Sequence, residues 1–180
     1  MNYGKILCLD TANGPGLRTT LFVSGCRRHC PGCFNPETWD FNYGHPFTLE
    51  TRVDILMSLN NPNVDGLSIL GGEPLDEKNI GDVTALVLFV RNIFPDMSIW
   101  VYTGNTWEEL IDICYASMNS EKYAYDLSNL LVTIDVLVDG PFVEAEKDIS
   151  LKFRGSRNQR IIDVPRSLIR DKVVLMEEYM

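Results

Sequence analysis

Four short apolar runs, each followed at once by polar residues or glycines, constrain the fold of this chain more than any other feature. They cover residues 21–23, 67–70, 99–102 and 134–138. Runs that are apolar at nearly every position suit strands that are buried on both faces, as in a parallel sheet. The runs therefore predict four buried strands.

The segments between these strands carry helical periodicity. The clearest apolar face recurs every three or four residues over 80–94, and Pro95 prevents its continuation. A second helix is predicted to begin at Thr106, because Thr106 and Glu109 form a capping-box pair, and a third to cover 49–59. Alternating strands and helices predict an α/β fold, in which a mostly parallel sheet with flanking helices is open or curled into a small incomplete barrel.

Length and composition restrict the class of protein. The 180 residues are 45% hydrophobic and 23% charged, which is typical of one globular domain over residues 1–180. A formal net charge of −9 argues against broad nucleic-acid binding, because such binding depends on neutralising phosphates. No apolar run reaches the length of a signal peptide or a membrane span, so a cytoplasmic protein without membrane or nucleic-acid partners is expected.

Three of the five cysteines, Cys26, Cys30 and Cys33, lie within eight positions. This crowding and the odd number of cysteines are unsuited to a disulfide framework. The C-x3-C-x2-C spacing, with a tight turn at Pro31 and Gly32, predicts three thiolates directed at one inorganic centre. Three thiolates suit a 4Fe-4S cluster with one iron left free for a ligand. Most electron-transfer clusters are held by four cysteine thiolates and have no free iron.

A structural zinc site is the alternative that this spacing leaves open. It needs four ligands, and the fourth would be His29, His45 or a distant cysteine. His29 is badly placed because it adjoins Cys30, whereas His45 would complete a set of three cysteines and one histidine. Cys8 and Cys114 lie within apolar patterns and are expected to be ordinary buried thiols.

The polar clusters directly follow the predicted strands. They comprise residues 24–33, Gly71-Gly72-Glu73-Pro74, Thr103-Gly104-Asn105 and Asp139-Gly140-Pro141. In parallel α/β proteins, ligands bind at the carboxyl ends of the strands. The four clusters are therefore expected to form one site.

These motifs resemble those of the radical S-adenosylmethionine superfamily. The resemblance rests on the cysteine spacing, on the aromatic Phe34 that follows it, and on the Gly-Gly-Glu-Pro turn after the next strand. Further blocks narrow the resemblance to the family of activating proteins of anaerobic ribonucleoside-triphosphate reductase. These blocks cover residues 13–18, 21–26, 100–104, 138–142 and 154–159.

The resemblance implies a cofactor set and a reaction. One 4Fe-4S cluster on Cys26, Cys30 and Cys33 would bind S-adenosyl-L-methionine at its free iron, and an electron from reduced flavodoxin or a similar donor would cleave that ligand. The resulting 5′-deoxyadenosyl radical would generate a glycyl radical on the large subunit of the reductase. The cofactor carries this chemistry, so no catalytic acid, base or nucleophile is expected.

The resemblance also implies which residues contact S-adenosyl-L-methionine. They are Gly32, Cys33, Phe34, Gly71, Gly72, Glu73, Thr103 and Asp139. Core packing is the alternative role for Phe34, and turn formation or helix capping is the alternative for Thr103 and Asp139. Many relatives have an aromatic residue where Asn105 stands, so this position receives no role.

Three other functions remain open at this point. The chain would be an activase of another glycyl-radical enzyme such as pyruvate formate-lyase, a zinc-binding interaction module, or an electron-transfer ferredoxin. Residues 151–172 hold seven basic residues against two acidic ones, which predicts either a solvated basic face or a docking surface for the reductase or the electron donor.

Overall fold

The structure, a computed structural model, describes residues 1–116 and 122–179. Its strands are β1 (Asn2–Asp10), β2 (Arg18–Val23), β3 (His45–Pro46), β4 (Gly66–Gly71), β5 (Ser98–Tyr102), β6 (Val136–Asp139) and β7 (Arg160–Asp163). Its helices are α1 (Leu49–Leu59), α2 (Ile80–Ile93), α3 (Trp107–Ala116), α4 (Lys122–Leu131) and α5 (Val164–Arg170).

The strands form one open sheet in the order β3-β1-β2-β4-β5-β6-β7. The four central strands, β2, β4, β5 and β6, are parallel, which confirms the mostly parallel sheet expected from the apolar runs. The outer strands are antiparallel: β1 pairs with β2, β3 with β1, and β7 with β6. The four parallel strands therefore end at the same edge of the sheet.

The three predicted helices form as their signals indicate, whereas α4 and α5 were not predicted. The buried face of α2 repeats at helical spacing, and the helix ends at Ile93, two residues before Pro95. The capping box of α3 is present, because Thr106 N–H donates to Glu109 Oε2 at 2.8 Å and Glu109 N–H donates to Thr106 Oγ1 at 3.3 Å. These caps fix where α3 begins, directly after the loop that follows β5.

The sheet has two differently covered faces. One face packs against the helices and forms the main core, to which β5 contributes Ile99 and Val101. The alternate residue of the same strand, Trp100, faces the other side and packs with Phe153 and Tyr179 at ring centroid distances of 5.6 Å. We call this second group of side chains the floor cluster, and it also contains Val136, Val138 and Ile161.

A fully buried arginine lies beside the floor cluster. The guanidinium of Arg18 lies 5.5 Å from the Trp100 ring and donates to Ser68 Oγ at 2.6 Å and to Leu67 O at 2.7 Å. Desolvation lowers the pKa of Arg18 to about 10. This arginine ties β2 to β4 on the face that the helices leave uncovered.

Candidate active site

A cavity of about 600 Å³ opens at the carboxyl ends of the parallel strands. Each of the four polar clusters expected there contributes to its wall. The residues that the sequence singled out and that line it are Cys26, Cys30, Cys33, Phe34, Gly71, Gly72, Glu73, Thr103 and Gly104. The expectation that separate strand ends converge on one site is thus confirmed.

The cysteine loop is held at its base by the polypeptide that follows it. Gly25 N–H donates to Thr38 O at 2.8 Å, and Cys26 N–H donates to Trp39 O at 3.1 Å. Gly32 has a φ of 70°, which favours glycine, and Cys33 N–H closes the turn onto Cys30 O at 3.1 Å. The chain therefore turns back on itself, so that all three thiols line one cavity.

The two histidines considered as a fourth zinc ligand pack against aromatic side chains. His29 stacks on Trp39 at a ring centroid distance of 4.6 Å, and His45 lies on β3 beside Tyr3. A 4Fe-4S cluster on Cys26, Cys30 and Cys33 needs no histidine, because each thiolate binds a different iron.

The Gly71-Gly72 turn packs directly on the base of the cysteine loop. Gly72 N–H donates to Val23 O and Glu73 N–H donates to Gly25 O, both at 2.8 Å. A Cβ on Gly72 would lie 2.6 Å from Gly25 O, a distance that real side chains do not tolerate. Gly71 has a φ of 111°, which side chains other than glycine rarely adopt. The two glycines therefore allow the β4 turn and the cysteine loop to touch.

Glu73 is buried, and protein donors surround its carboxylate. Leu75 N–H at 3.0 Å and the Thr103 hydroxyl at 2.8 Å donate to Oε1, and Gly104 N–H at 2.8 Å donates to Oε2. Burial raises the pKa of Glu73, and these donors oppose the rise. The carboxylate therefore joins the end of β4 to the end of β5 while it lines the cavity.

Thr103 and Asp139 differ in their relation to the cavity. Thr103 lines it, and its hydroxyl oxygen accepts from Asn105 Nδ2 at 2.8 Å. The Asp139 carboxylate accepts from Trp107 N–H at 2.8 Å and from Arg160 Nε at 3.0 Å, while the adjacent Gly140 lines the cavity. Asp139 thus has the capping contacts that were its alternative role, and its contact with S-adenosyl-L-methionine stays a prediction.

Phe34 stands at the rim of the cavity and is 63% exposed. Its ring meets Phe142 edge-on at a centroid distance of 5.5 Å, and Lys147 Nζ lies 4.9 Å from its centre. Gly32 lies against the side chain of Glu144, since an added Cβ would approach Glu144 Cδ to 2.8 Å. Phe34 is therefore a rim residue rather than a core residue.

Sequence reasoning missed Asn79, which is fully buried at the start of α2. Its Nδ2 donates to Ser24 O at 3.0 Å and to Glu73 O at 2.9 Å. This amide therefore joins the base of the cysteine loop to the Gly71-Gly72-Glu73 turn. An asparagine directly before an apolar helical pattern signals a helix cap in the sequence, but the Asn79 side chain makes no cap hydrogen bond, and nothing local reveals the contacts that it makes instead.

Tyr102 and Asn105 were also missed. The Tyr102 hydroxyl is buried at the cavity wall and has no hydrogen-bond partner among the described residues. The Asn105 Oδ1 accepts from Arg28 Nη2 at 2.6 Å, which gives a role to a position that the sequence left without one. No local sequence pattern identifies these two residues, because their positions in the site depend on strand ends that bring distant segments together.

Acidic partners neutralise much of the basic segment 151–172. Arg160 contacts Glu108 at 2.7 Å as well as Asp139, and Arg157 Nη2 contacts Asp148 Oδ2 at 2.9 Å. Arg166 lies 3.7 Å from Asp163. Three of the seven basic residues of this segment are therefore ion-paired, and its role as a solvated face or a docking surface stays a prediction.

The two remaining cysteines lie away from the site and differ from each other. Cys8 is exposed on β1, which corrects the expectation of a buried thiol, because β3 pairs only with Asn2 and Tyr3 and the rest of β1 has a neighbouring strand on one side only. Cys114 is partly buried and packs against the main core, as expected. Burial raises the pKa of the Cys114 thiol. Both thiols lie outside the set of residues that line the cavity.

Comparison with known proteins decides the family. Residues 12–162 match the model of a 4Fe-4S single cluster domain. The anaerobic ribonucleoside-triphosphate reductase-activating protein of Escherichia coli strain K12 is 43% identical over 161 residues, which cover 88% of this chain and 96% of the relative. The chain belongs to this family of activating proteins.

Other members of the activating-protein family show the same extent of similarity. The Vibrio cholerae protein of that name is 42% identical over 89% of this chain and 97% of its own length, and the phage T4 protein is 35% identical over 89% and 93%. The match to the 4Fe-4S domain includes the cysteine loop and all the other cavity residues named above. Within residues 1–116 and 122–179, no helix has the length and apolarity to cross a membrane.

Proposed function

We propose that this chain cleaves S-adenosyl-L-methionine reductively and generates a glycyl radical on anaerobic ribonucleoside-triphosphate reductase. The observation that carries the proposal is that Cys26, Cys30 and Cys33 share one cavity with the Gly71-Gly72 turn, in a chain whose relatives are named as activators of that reductase. Those three thiolates hold a 4Fe-4S cluster.

The reaction uses one electron and transfers one hydrogen atom. A cluster held by Cys26, Cys30 and Cys33 would, when reduced, supply one electron to S-adenosyl-L-methionine, whose sulfur–carbon bond would break to give methionine and a 5′-deoxyadenosyl radical. That radical would take a hydrogen atom from a glycine Cα of the reductase, which would leave 5′-deoxyadenosine and the glycyl radical. Reduced flavodoxin or a similar cytoplasmic donor supplies the electron.

The protein contributes shape and electrostatics. The bare backbone at Gly71 and Gly72 lets the methionine end of the ligand approach the end of β4. Glu73 places negative charge near the amino group of S-adenosyl-L-methionine, and Phe34 offers an aromatic face to the adenine of that ligand. Gly32, Cys33 and Thr103 also contact S-adenosyl-L-methionine. Asp139 contacts it from the end of β6.

The direct test is anaerobic reconstitution with iron and sulfide, followed by assays for 5′-deoxyadenosine and for an organic radical on added reductase. The wild-type protein is expected to be brown and to give both products. Cys26→Ala, Cys30→Ala and Cys33→Ala are expected to abolish both. Cys8→Ala is the matched control, because this thiol is exposed on β1, away from the cavity.

Each alternative function gives a different result in that test. Bound zinc in place of iron would indicate an interaction module, and bound iron without cleavage under dithionite would indicate a ferredoxin. Cleavage with a radical on pyruvate formate-lyase but none on the reductase would indicate the other activase. Any of these three outcomes refutes the proposal.

A further inference from the structure

Arg28, the second residue after the first cysteine of the loop, reaches out of that loop to the opposite cavity wall. Its side chain is 30% exposed and lies flat on Gly104, where an added Cβ would come within 2.4 Å of Arg28 Cδ. Gly104 belongs to the turn after β5. The absence of a side chain at this glycine is what admits the arginine.

Three groups at the far wall bind the Arg28 guanidinium. Nη2 donates to Asn105 Oδ1 at 2.6 Å and lies 3.6 Å from Glu109 Oε2, and Nε lies 3.8 Å from Glu73 Oε2. Glu109 is itself fixed by the capping box of α3. The arginine therefore ties the cysteine loop to the ends of β4 and β5 and to the start of α3.

The backbone of the cysteine loop turns sharply directly after Arg28. His29 has a φ of 46°, a conformation uncommon outside glycine, and its ring stacks on Trp39 at 4.6 Å. Successive N–H groups in such a turn form concavities that bind anions, including iron–sulfur centres.

We propose that Arg28 is a positioning residue that raises the reduction potential of the cluster. Reduction adds one negative charge, which hydrogen bonds to the ligand sulfurs and a nearby cation both stabilise. Arg28 supplies the cation, and its contacts with Asn105, Glu109 and Glu73 hold that cation at the wall of the cavity that the three cysteines line. This inference rests on the proposed function, because it concerns the cluster that the function requires.

The test is an anaerobic redox titration of the reconstituted protein, followed by optical and electron paramagnetic resonance spectra. Arg28→Gln is expected to lower the ratio of reduced to oxidised cluster about tenfold at a fixed potential, which for a one-electron couple is a fall of about 59 mV. Arg28→Lys keeps the charge but not the planar fork, so a smaller fall is expected.

Arg27→Gln is the matched control. It removes the same charge from the neighbouring position, but the Arg27 side chain is 53% exposed, contacts Asp76 at 2.6 Å and lies over Phe41. Solvent screens this charge, so its removal is expected to leave the potential within a few millivolts of the wild-type value. Asn105→Ala removes the anchor without changing the charge, and its potential is expected to fall in the same direction as that of Arg28→Gln.

Iron and sulfide content show whether each variant holds an intact cluster. Equal shifts in Arg27→Gln and Arg28→Gln would overturn the proposal, because net charge alone would explain them. If Arg28→Gln takes up no cluster, an unchanged potential in Asn105→Ala overturns it instead. Cleavage of S-adenosyl-L-methionine by the wild-type protein under excess dithionite tests the proposed function separately, because it does not depend on the difference between variants.

Discussion

Replacing Asn79 with alanine tests whether a single buried amide holds the two halves of the site together. The side chain is fully buried, and its Nδ2 donates to Ser24 O at 3.0 Å and Glu73 O at 2.9 Å. Glu73 O retains a bond from Asp76 N–H at 3.2 Å after the substitution. The main cost therefore falls on the Ser24 carbonyl at the base of the cysteine loop.

The expected loss follows from these contacts. Leaving a buried polar group unsatisfied costs about 1–3 kcal/mol, and truncating a packed side chain adds to that cost. We expect Asn79→Ala to lower the free energy of unfolding by about 2–3 kcal/mol. The variant is also expected to bind less iron on reconstitution, because the cysteine loop is no longer fixed to the Gly-Gly-Glu turn.

The assay is urea unfolding of the reduced, metal-free protein under anaerobic conditions. Asn129→Ala is the matched control, since its Nδ2 donates to Tyr125 O on the surface of α4. That change is expected to alter the free energy of unfolding by less than about 0.5 kcal/mol. If the two variants unfold at the same urea concentration with equal slopes, the role assigned to Asn79 is wrong.

Three further substitutions probe other parts of the site. Gly72→Ala is expected to abolish cluster uptake while the fold persists, because its Cβ would meet Gly25 O at 2.6 Å, and circular dichroism with iron analysis measures both. Arg160→Met leaves the buried Asp139 carboxylate without its cation and is expected to cost about 3 kcal/mol in urea unfolding, whereas no change would exclude a stabilising pair. Phe34→Ala is expected to weaken S-adenosyl-L-methionine binding about two- to tenfold with iron content unchanged, and equilibrium dialysis of the unreduced protein would show an unaltered affinity if the ring does not contact the ligand.

Sequence patterns located the centre of the fold because its signals are local. The continuous apolar runs identified the parallel strands, and the helical face over Ile80–Ile93 and the Thr106 capping box identified α2 and α3. The outer strands β1, β3 and β7 and the helices α4 and α5 were missed.

The site, like the fold, was predictable only where its signals are local. The cysteine spacing and the Gly71-Gly72 turn are short motifs that carry their own chemical meaning. The contacts of Arg28 with Asn105 and of Asn79 with Ser24 join residues that are 77 and 55 positions apart. No local pattern reports such pairs, because they depend on how the strand ends are brought together.

The floor cluster has a consequence for shortened forms of the protein. Tyr179 and Met176 reach back under the sheet, where Met176 N–H donates to Ile161 O at 2.9 Å. A protein trimmed before these residues would keep the helix-covered core but would expose Trp100 to solvent from below. Tryptophan fluorescence during limited proteolysis of the C-terminal end would therefore report whether the floor cluster is intact, while the secondary structure stays in place.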